Sequence, residues 1–269
     1  MIDIHQLKKS LKKILFKYNA QKLSKALDRL GIQEGDVLMV HSSWLPDNGF
    51  AGTAKQFIDS LKSAIGDDGL LAMMSMPYQN ESTKQYLSKN LVFKVKRTPS
   101  KVGLLTEVFR RGKNVVRSFN SAHPVVAWGG GSKTFVADHN LTECSFGKGS
   151  PFDKLAQLDG KILLVDAPFN TITFNHYLES LNEADYPVQL FDHEVVRGRV
   201  LDEDGAVVGF STKVLAKESS GYRIDDRLEA EMDKRGLIRR LRVGGTRLIL
   251  VNTSDLVLCA SACVQNWEK

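Results

Sequence analysis

A hydroxyl, an imidazole and a carboxylate stand at three-residue intervals in the segment Thr173-Phe174-Asn175-His176-Tyr177-Leu178-Glu179. On a helix, residues three apart are surface neighbours, so Glu179 can orient His176 while Thr173 sits one turn earlier. An imidazole held in this way can take a proton from a nucleophile at neutral pH, since an unperturbed imidazole titrates near pH ~6.5. A helix with ordinary surface polar residues shows the same spacing, so the surrounding chain must decide.

The elements around the segment read as βαβ units. Residues 4–18 and 21–30 have the apolar spacing of helices, and an apolar strand at 37–40 ends in His41-Ser42-Ser43. Thr53 can cap a helix to residue 65, and Gly66-Asp67-Asp68-Gly69 turns into a second apolar strand at 70–75. Residues 77–97 are polar with weak periodicity, and Thr98-Pro99-Ser100 is expected to start a helix over 102–111. An apolar run at 124–128 precedes a short helix at 132–138, and Ser150-Pro151 has the capping hydroxyl and N1 proline of a helix start. Lys161-Ile-Leu-Leu-Val-Asp166 is a third core strand, and Thr173 to Glu179 lies just past its carboxyl end, the edge of an open α/β sheet where ligands bind. Further on, Val195, Val196, Val200, Val207, Val208 and Phe210 suggest strands joined by a turn at Asp202 to Gly205. A helix at 225–235, a strand pair around Gly244-Gly245 and a last helix after Ser254 complete the chain, which reads as one domain over residues 1–269.

The 269 residues, 42% of them hydrophobic, can bury one large core, and no apolar run approaches the ~20 residues of a membrane span. The amphipathic N-terminus lacks the uninterrupted apolar region of a signal peptide, so a soluble cytoplasmic protein is expected. Cys144, Cys259 and Cys263 have no metal-ligand spacing and read as reduced, packed thiols, with no metal site expected. His5, His139 and His193 have no companion residues in the sequence and read as ordinary polar positions. A net charge of +6 favours an anionic partner. The basic residues are scattered in small groups such as Lys94 to Arg97, and no nucleic-acid-binding motif is visible.

Five motifs in order carry a family resemblance. They are His41-Ser42-Ser43 after a buried strand, the run from Thr98 to Arg110, Arg117-Ser118 with His123-Pro124, Phe146-Gly-Lys-Gly-Ser-Pro151, and His176-Tyr-Leu-Glu179. Together they resemble the aminoglycoside 3-N-acetyltransferase family of acyl-CoA-dependent N-acyltransferases. The resemblance implies a three-layer α/β/α sandwich with a largely parallel or mixed central sheet, followed here by a β-rich C-terminal region. It also implies acyl transfer from a coenzyme A thioester to an amine, with His176 as catalytic base and Thr173 near the thioester. The chain departs from the family where an Asn-Thr pair is usual before the histidine: it reads Ile172-Thr173, with Asn170-Thr171 upstream.

The residue types suit that chemistry. A neutral imidazole can take the amine proton while Glu179 stabilises the imidazolium, and backbone N–H groups or the Thr173 hydroxyl can face the oxyanion. Acyl-CoA enters as co-substrate with no tightly bound cofactor. Its phosphates call for hydroxyls, exposed N–H groups and cations, which Ser42, Ser43, Ser100, Gly103, Arg117 and Ser118 supply, with His41 and Leu104 in the same motifs. The positive charge of the chain points away from a polycationic antibiotic. The resemblance includes enzymes that acylate dTDP-linked amino-deoxysugars for surface polysaccharides, so a nucleotide-linked amino sugar is the expected acceptor. Its base would stack on Trp44, Phe50 or Tyr78, with His123 also at the acceptor. Aminoglycoside 3-N-acetylation and a non-catalytic coenzyme A or nucleotide-binding protein are the alternatives, and a homo-oligomer is compatible with all three.

Overall fold

The computed structural model describes residues 16–45, 47–202 and 204–265. Most of the expected first helix and the N-terminal amphipathic pattern, His5 included, lie outside the described residues, as does Glu203 in the expected turn.

Seven strands form a mixed sheet in the order β4-β5-β2-β1-β6-β10-β9. These are β1 (Val37–Ser42), β2 (Leu70–Met74), β4 (Val116–Arg117), β5 (Val125–Gly129), β6 (Lys161–Val165), β9 (Arg239–Val243) and β10 (Thr246–Asn252). Strand β1 pairs in parallel with β2 on one side and β6 on the other, and the outer pairings are antiparallel.

Alternation along the strands explains the layers. Leu38, Val40, Leu71, Met73, Leu163, Val165, Leu248 and Leu250 point into one core, with α1 (Ala20–Leu30), α2 (Ala54–Ile65) and α4 (Leu104–Arg110) packed on it. Their neighbours Met39, Leu70, Ala72, Ile162, Leu164, Ile249 and Val251 point the other way. That second core is covered by α5 (Ser132–Val136), α6 (Pro151–Gln157), α7 (Phe174–Leu181), α8 (Asp225–Lys234) and α9 (Thr253–Gln265). The result is the expected α/β/α sandwich. Cys144, Cys259 and Cys263 are free and buried in the second core.

The polar stretch 77–97 conceals two elements. A capping box between Ser82 and Gln85 starts α3 (Thr83–Ser88), and β3 (Val92–Lys94) pairs in parallel with β7 (Val196–Leu201). Strand β7 forms a hairpin with β8 (Val207–Thr212), so the expected late β-rich region divides between this three-stranded sheet and β9-β10 of the main sheet. Tyr78, Tyr86, Phe93, Ala122, Val200 and Phe210 fill the core beneath the small sheet.

One boundary differs from expectation in a way that matters. Helix α4 begins at Leu104, not near Ser100, because Gly103 has φ +118°, a conformation that an L side chain rarely adopts. Ser100 therefore does not cap it: its N–H donates to Glu107 Oε2 at 2.8 Å, and its own hydroxyl is buried without a partner among the described residues. Among the described residues no helix is long and apolar enough to cross a membrane, and no cluster of ligating side chains could hold a metal.

Candidate active site

The chain leaves β1 for β2 on one side and returns to β6 on the other, so the crevice at the carboxyl ends of these parallel strands is a topological switch point. Two cavities open there. The first, of about 580 Å³, is lined by His41, Ser42, Ser43 and Trp44 from the end of β1, Met74 and Met76 after β2, Lys101 to Leu104, Ala167, Thr171 and Thr173. The second, of about 630 Å³, is lined by Met76, Tyr78, Glu81 to Lys84, His123, Phe146, Thr173, His176, Asp192 and Lys217. Met76 and Thr173 face both cavities.

The approach to α7 is set by packing. After β6 a 3-10 turn at Phe169–Thr171 delivers Ile172 and Phe174 into the core, which fixes the helix start between them. Ile172 is buried, while Asn170 is exposed. The 3-10 turn fills this stretch, and Thr173 stands at its junction with α7. Among the described residues its hydroxyl has no partner, so it is free to meet a ligand.

Asn175, Tyr177, Leu178 and Glu179 of α7 are buried, and His176 is half-buried at its edge. His176 Nδ1 lies 3.0 Å from Glu179 Oε2, as the three-residue spacing predicts. Glu179 is enclosed, and among the described residues this nitrogen is its one aligned donor, since Oε1 makes no hydrogen bond. An ionised carboxylate accepts only, so the neutral imidazole satisfies it best with the proton on Nδ1. The lone pair then sits on Nε2 of a ring that lines the second cavity. The Phe146 ring packs against His176 with centroids 4.6 Å apart, and against His123 at 4.3 Å on its other side.

The histidines around the site are kept neutral. Burial lowers the His41 pKa to about 4, and burial first, then the nearby His176 and His139, lowers that of His123 well below the ordinary value. His123 Nε2 lies 3.3 Å from the Tyr78 hydroxyl and 3.1 Å from Thr83 Oγ1. Tyr78 itself is held as a phenol, its pKa raised by burial.

Several expected site residues stand elsewhere. Arg117 is buried and lines neither cavity; it donates to the carbonyls of Thr98 at 2.6 Å, Val95 at 3.3 Å and Ser75, and stacks on Phe93 at 4.3 Å. Burial lowers its pKa to about 9. Its role is to clip the 95–98 loop to the end of β2. The Ser118 hydroxyl donates to or accepts from His139 Nδ1 at 2.9 Å and takes the Val125 N–H, so it too is structural. His139, read from the sequence as an ordinary polar position, is fully buried and bridges Ser118 to the Ser145 carbonyl. Ser100 is not among the residues that line the first cavity. Trp44 packs on Phe57 with centroids 6.0 Å apart and lines the first cavity, and Phe50 is buried between Tyr18 and Phe57. Of the three expected stacking aromatics, Tyr78 alone lines the second cavity. Arg223, which places its Nη1 2.9 Å from His176 Nδ1, carried no local sequence signal.

An imidazole held by a buried carboxylate thus lines one of two cavities that share Met76 and Thr173 at the strand ends of an α/β/α sandwich. A family model for aminoglycoside 3-N-acetyltransferases matches residues 39–265, and the chain belongs to that family. It is 32% identical over 176 residues to an aminoglycoside N(3)-acetyltransferase III of Acinetobacter baumannii, covering 61% of this chain and 60% of the relative's length. To an aminoglycoside N(3)-acetyltransferase VII of Streptomyces paromomycinus it is 27% identical over 88% of each chain. The fold matches that of aminoglycoside acetyltransferase AAC(3)-Xa with a TM-score of 0.81 at 20% identity, over 97% of this chain and 98% of the other. It also matches AAC-IIIb, solved as a binary complex with CoASH, with a TM-score of 0.77 at 22% identity over 91% and 95%.

Proposed function

We propose that the protein is an acyl-CoA-dependent N-acetyltransferase acting on an amine of an aminoglycoside or a related amino sugar. The observation that carries this reading is the meeting of the two cavities at Thr173, next to an imidazole whose Nδ1 is engaged by Glu179. The first cavity suits the pantetheine arm. Its walls are apolar at Val40, Met74, Met76, Val102 and Leu104, and Gly103 lets a ligand approach the backbone closely. The thioester would lie at Thr173, and the acceptor amine in the second cavity beside His176.

The reaction then needs no covalent intermediate on the protein. The amine lone pair attacks the thioester carbonyl, and Nε2 of His176 takes a proton from the nitrogen as the C–N bond forms. Thr173 can donate to the oxyanion. When the C–S bond breaks, coenzyme A departs as the thiolate, and the imidazolium can return a proton to it. No cysteine lines either cavity.

The relatives' names favour an aminoglycoside as acceptor. The second reading is a nucleotide-linked amino sugar, a dTDP-amino-6-deoxyhexose, for which the charge of the second cavity is the only argument. The carboxylates of the second cavity are already paired, Glu81 with Lys89 and Asp192 with Lys84 at 2.8 Å, and Lys217 adds an unpaired cation among the described residues. A polycation finds little free negative charge there. Release of free thiol from acetyl-CoA, measured with gentamicin-type aminoglycosides and with dTDP-linked 3- and 4-amino sugars, decides between the two. Silence with both classes overturns the acyltransferase reading. Loss of turnover in His176→Ala with coenzyme A still bound excludes a purely binding role.

A further inference from the structure

Four groups surround the acyl carbon at the moment of transfer: the departing sulfur, the incoming nitrogen, the oxyanion and the rest of the acyl chain. The site has places for the first three. The sulfur leaves towards the first cavity, the nitrogen arrives from the second, and the oxyanion faces the Thr173 hydroxyl. The acyl chain needs a wall of its own, where the two cavities meet. Their linings have two residues in common, Thr173 and Met76.

Met76 stands two residues past the end of β2, and the main chain around it is held. The Ser75 N–H donates to the Pro124 carbonyl at 2.8 Å, the Ser75 carbonyl accepts from Arg117, and the Met76 carbonyl accepts the Lys101 N–H at 2.8 Å. Pro77 biases the Met76 backbone to an extended conformation. The side chain is half-buried and packs against two cores at once, the second core of the sandwich and the core beneath the small sheet. Pushing it aside disturbs one core or the other. Its unbranched thioether can still change rotamer, so it yields by degrees.

We infer that Met76 is the specificity-determining residue for the acyl donor: it closes the junction of the two cavities on the side of the acyl chain, so that acetyl fits and each further methylene is resisted. This rests on the acyltransferase reading and adds to it the length of the acyl group. A chain too long for the wall has one other direction open, into the second cavity, where it takes the space of the amine. One methylene against an apolar wall is worth about 10- to 200-fold in kcat/KM, and a side chain that yields belongs near the lower end.

The test measures thiol release from acetyl-, propionyl- and butyryl-CoA with whichever acceptor the wild type uses, in the wild type, Met76→Ala, Met76→Val, Met76→Leu and Val102→Ala. In the wild type kcat/KM is expected to fall about tenfold from acetyl to propionyl and about tenfold again to butyryl. In the Ala and Val variants the propionyl-to-acetyl ratio should rise at least about fivefold, while Leu, of similar volume, keeps it within about twofold. Val102 lines the first cavity and not the second, so Val102→Ala should weaken the three donors alike and leave the ratio in place. Each ratio is taken within one protein, so a partial loss of stability cancels. An unchanged ratio in whichever of the Ala and Val variants folds, the same shift in Val102→Ala, or a wild type that transfers butyryl as fast as acetyl overturns the inference while leaving the acyltransferase reading intact. No thiol release from any donor, with either class of acceptor, overturns that reading and the inference with it.

Discussion

Glu179→Gln replaces one carboxylate oxygen by an amide nitrogen and asks the enclosed side chain to do something it cannot. In the protein, Oε2 faces the His176 Nδ1 at 3.0 Å, and Oε1 faces Arg223 Nε at 3.1 Å. Both neighbours need an acceptor, and a carboxamide offers one. If its oxygen turns to Arg223, its NH2 donates to Nδ1 and the ring proton moves to Nε2, where it blocks the base. If its oxygen turns to Nδ1, its NH2 opposes a guanidinium. Either way the imidazolium loses its counter-charge. Two unit charges about 4 Å apart interact by about 4 kcal/mol at an effective dielectric of 20. His176 is partly open to water, which screens part of that, so a loss of about 2–3 kcal/mol is a fair expectation at the transition state. At about 1.4 kcal/mol per factor of ten, kcat should fall about 30- to 150-fold. The assay is steady-state thiol release with saturating acetyl-CoA and acceptor, and both KM values should stay near wild type. A kcat within about threefold of wild type would refute the argument, since it would mean that neither the tautomer nor the counter-charge matters, and that the departing thiolate takes the amine proton itself.

Two further predictions concern the frame of the site. Arg117→Met removes a buried cation that holds three loop carbonyls, and should cost about 2–3 kcal/mol, part of the lost bonding being offset by the relief of desolvation. Calorimetry should then show Tm lower by about 5–10 °C, and a change below one degree would show that the carbonyls find other donors. Acid should destabilise the fold well before the carboxylates titrate. Burial holds His41 and His139 at about 4, below the ~6.5 of the unfolded chain, so between these values the unfolded chain binds more protons and stability falls as pH drops. Each contributes a loss of about 2 kcal/mol by pH 5, with His123 acting in the same direction. Urea midpoints measured from pH 7.5 to 5 test this, and a flat profile would contradict the burial of these rings.

What the sequence made legible follows from the range over which each signal acts. The core strands β1, β2 and β6 announce themselves as continuous apolar runs because both of their faces are covered, and the His176–Glu179 pair is visible because three residues on a helix are one turn in space. Strands β3 and β4, three and two residues long, have no such pattern: Val92 to Lys94 is a strand because β7, more than a hundred residues later, supplies its partner. The same limit governs the site. Types alone suggested Arg117 and Ser118 for phosphates, yet an arginine and a serine are as well suited to backbone carbonyls and a buried histidine, and only the packing shows which they meet. Trp44 has the shape to stack a base, but it stands one residue past two serines at the end of β1, where the strand direction turns its ring into the helical layer against Phe57. Arg223 is the converse case. It sits 47 residues after His176 in a segment without motif, and reaches the imidazole because α8 packs beside the turn that precedes α7. The His176–Glu179 pair was therefore readable as a local pair, whereas the Arg223 contact with the same ring nitrogen exists only through tertiary packing.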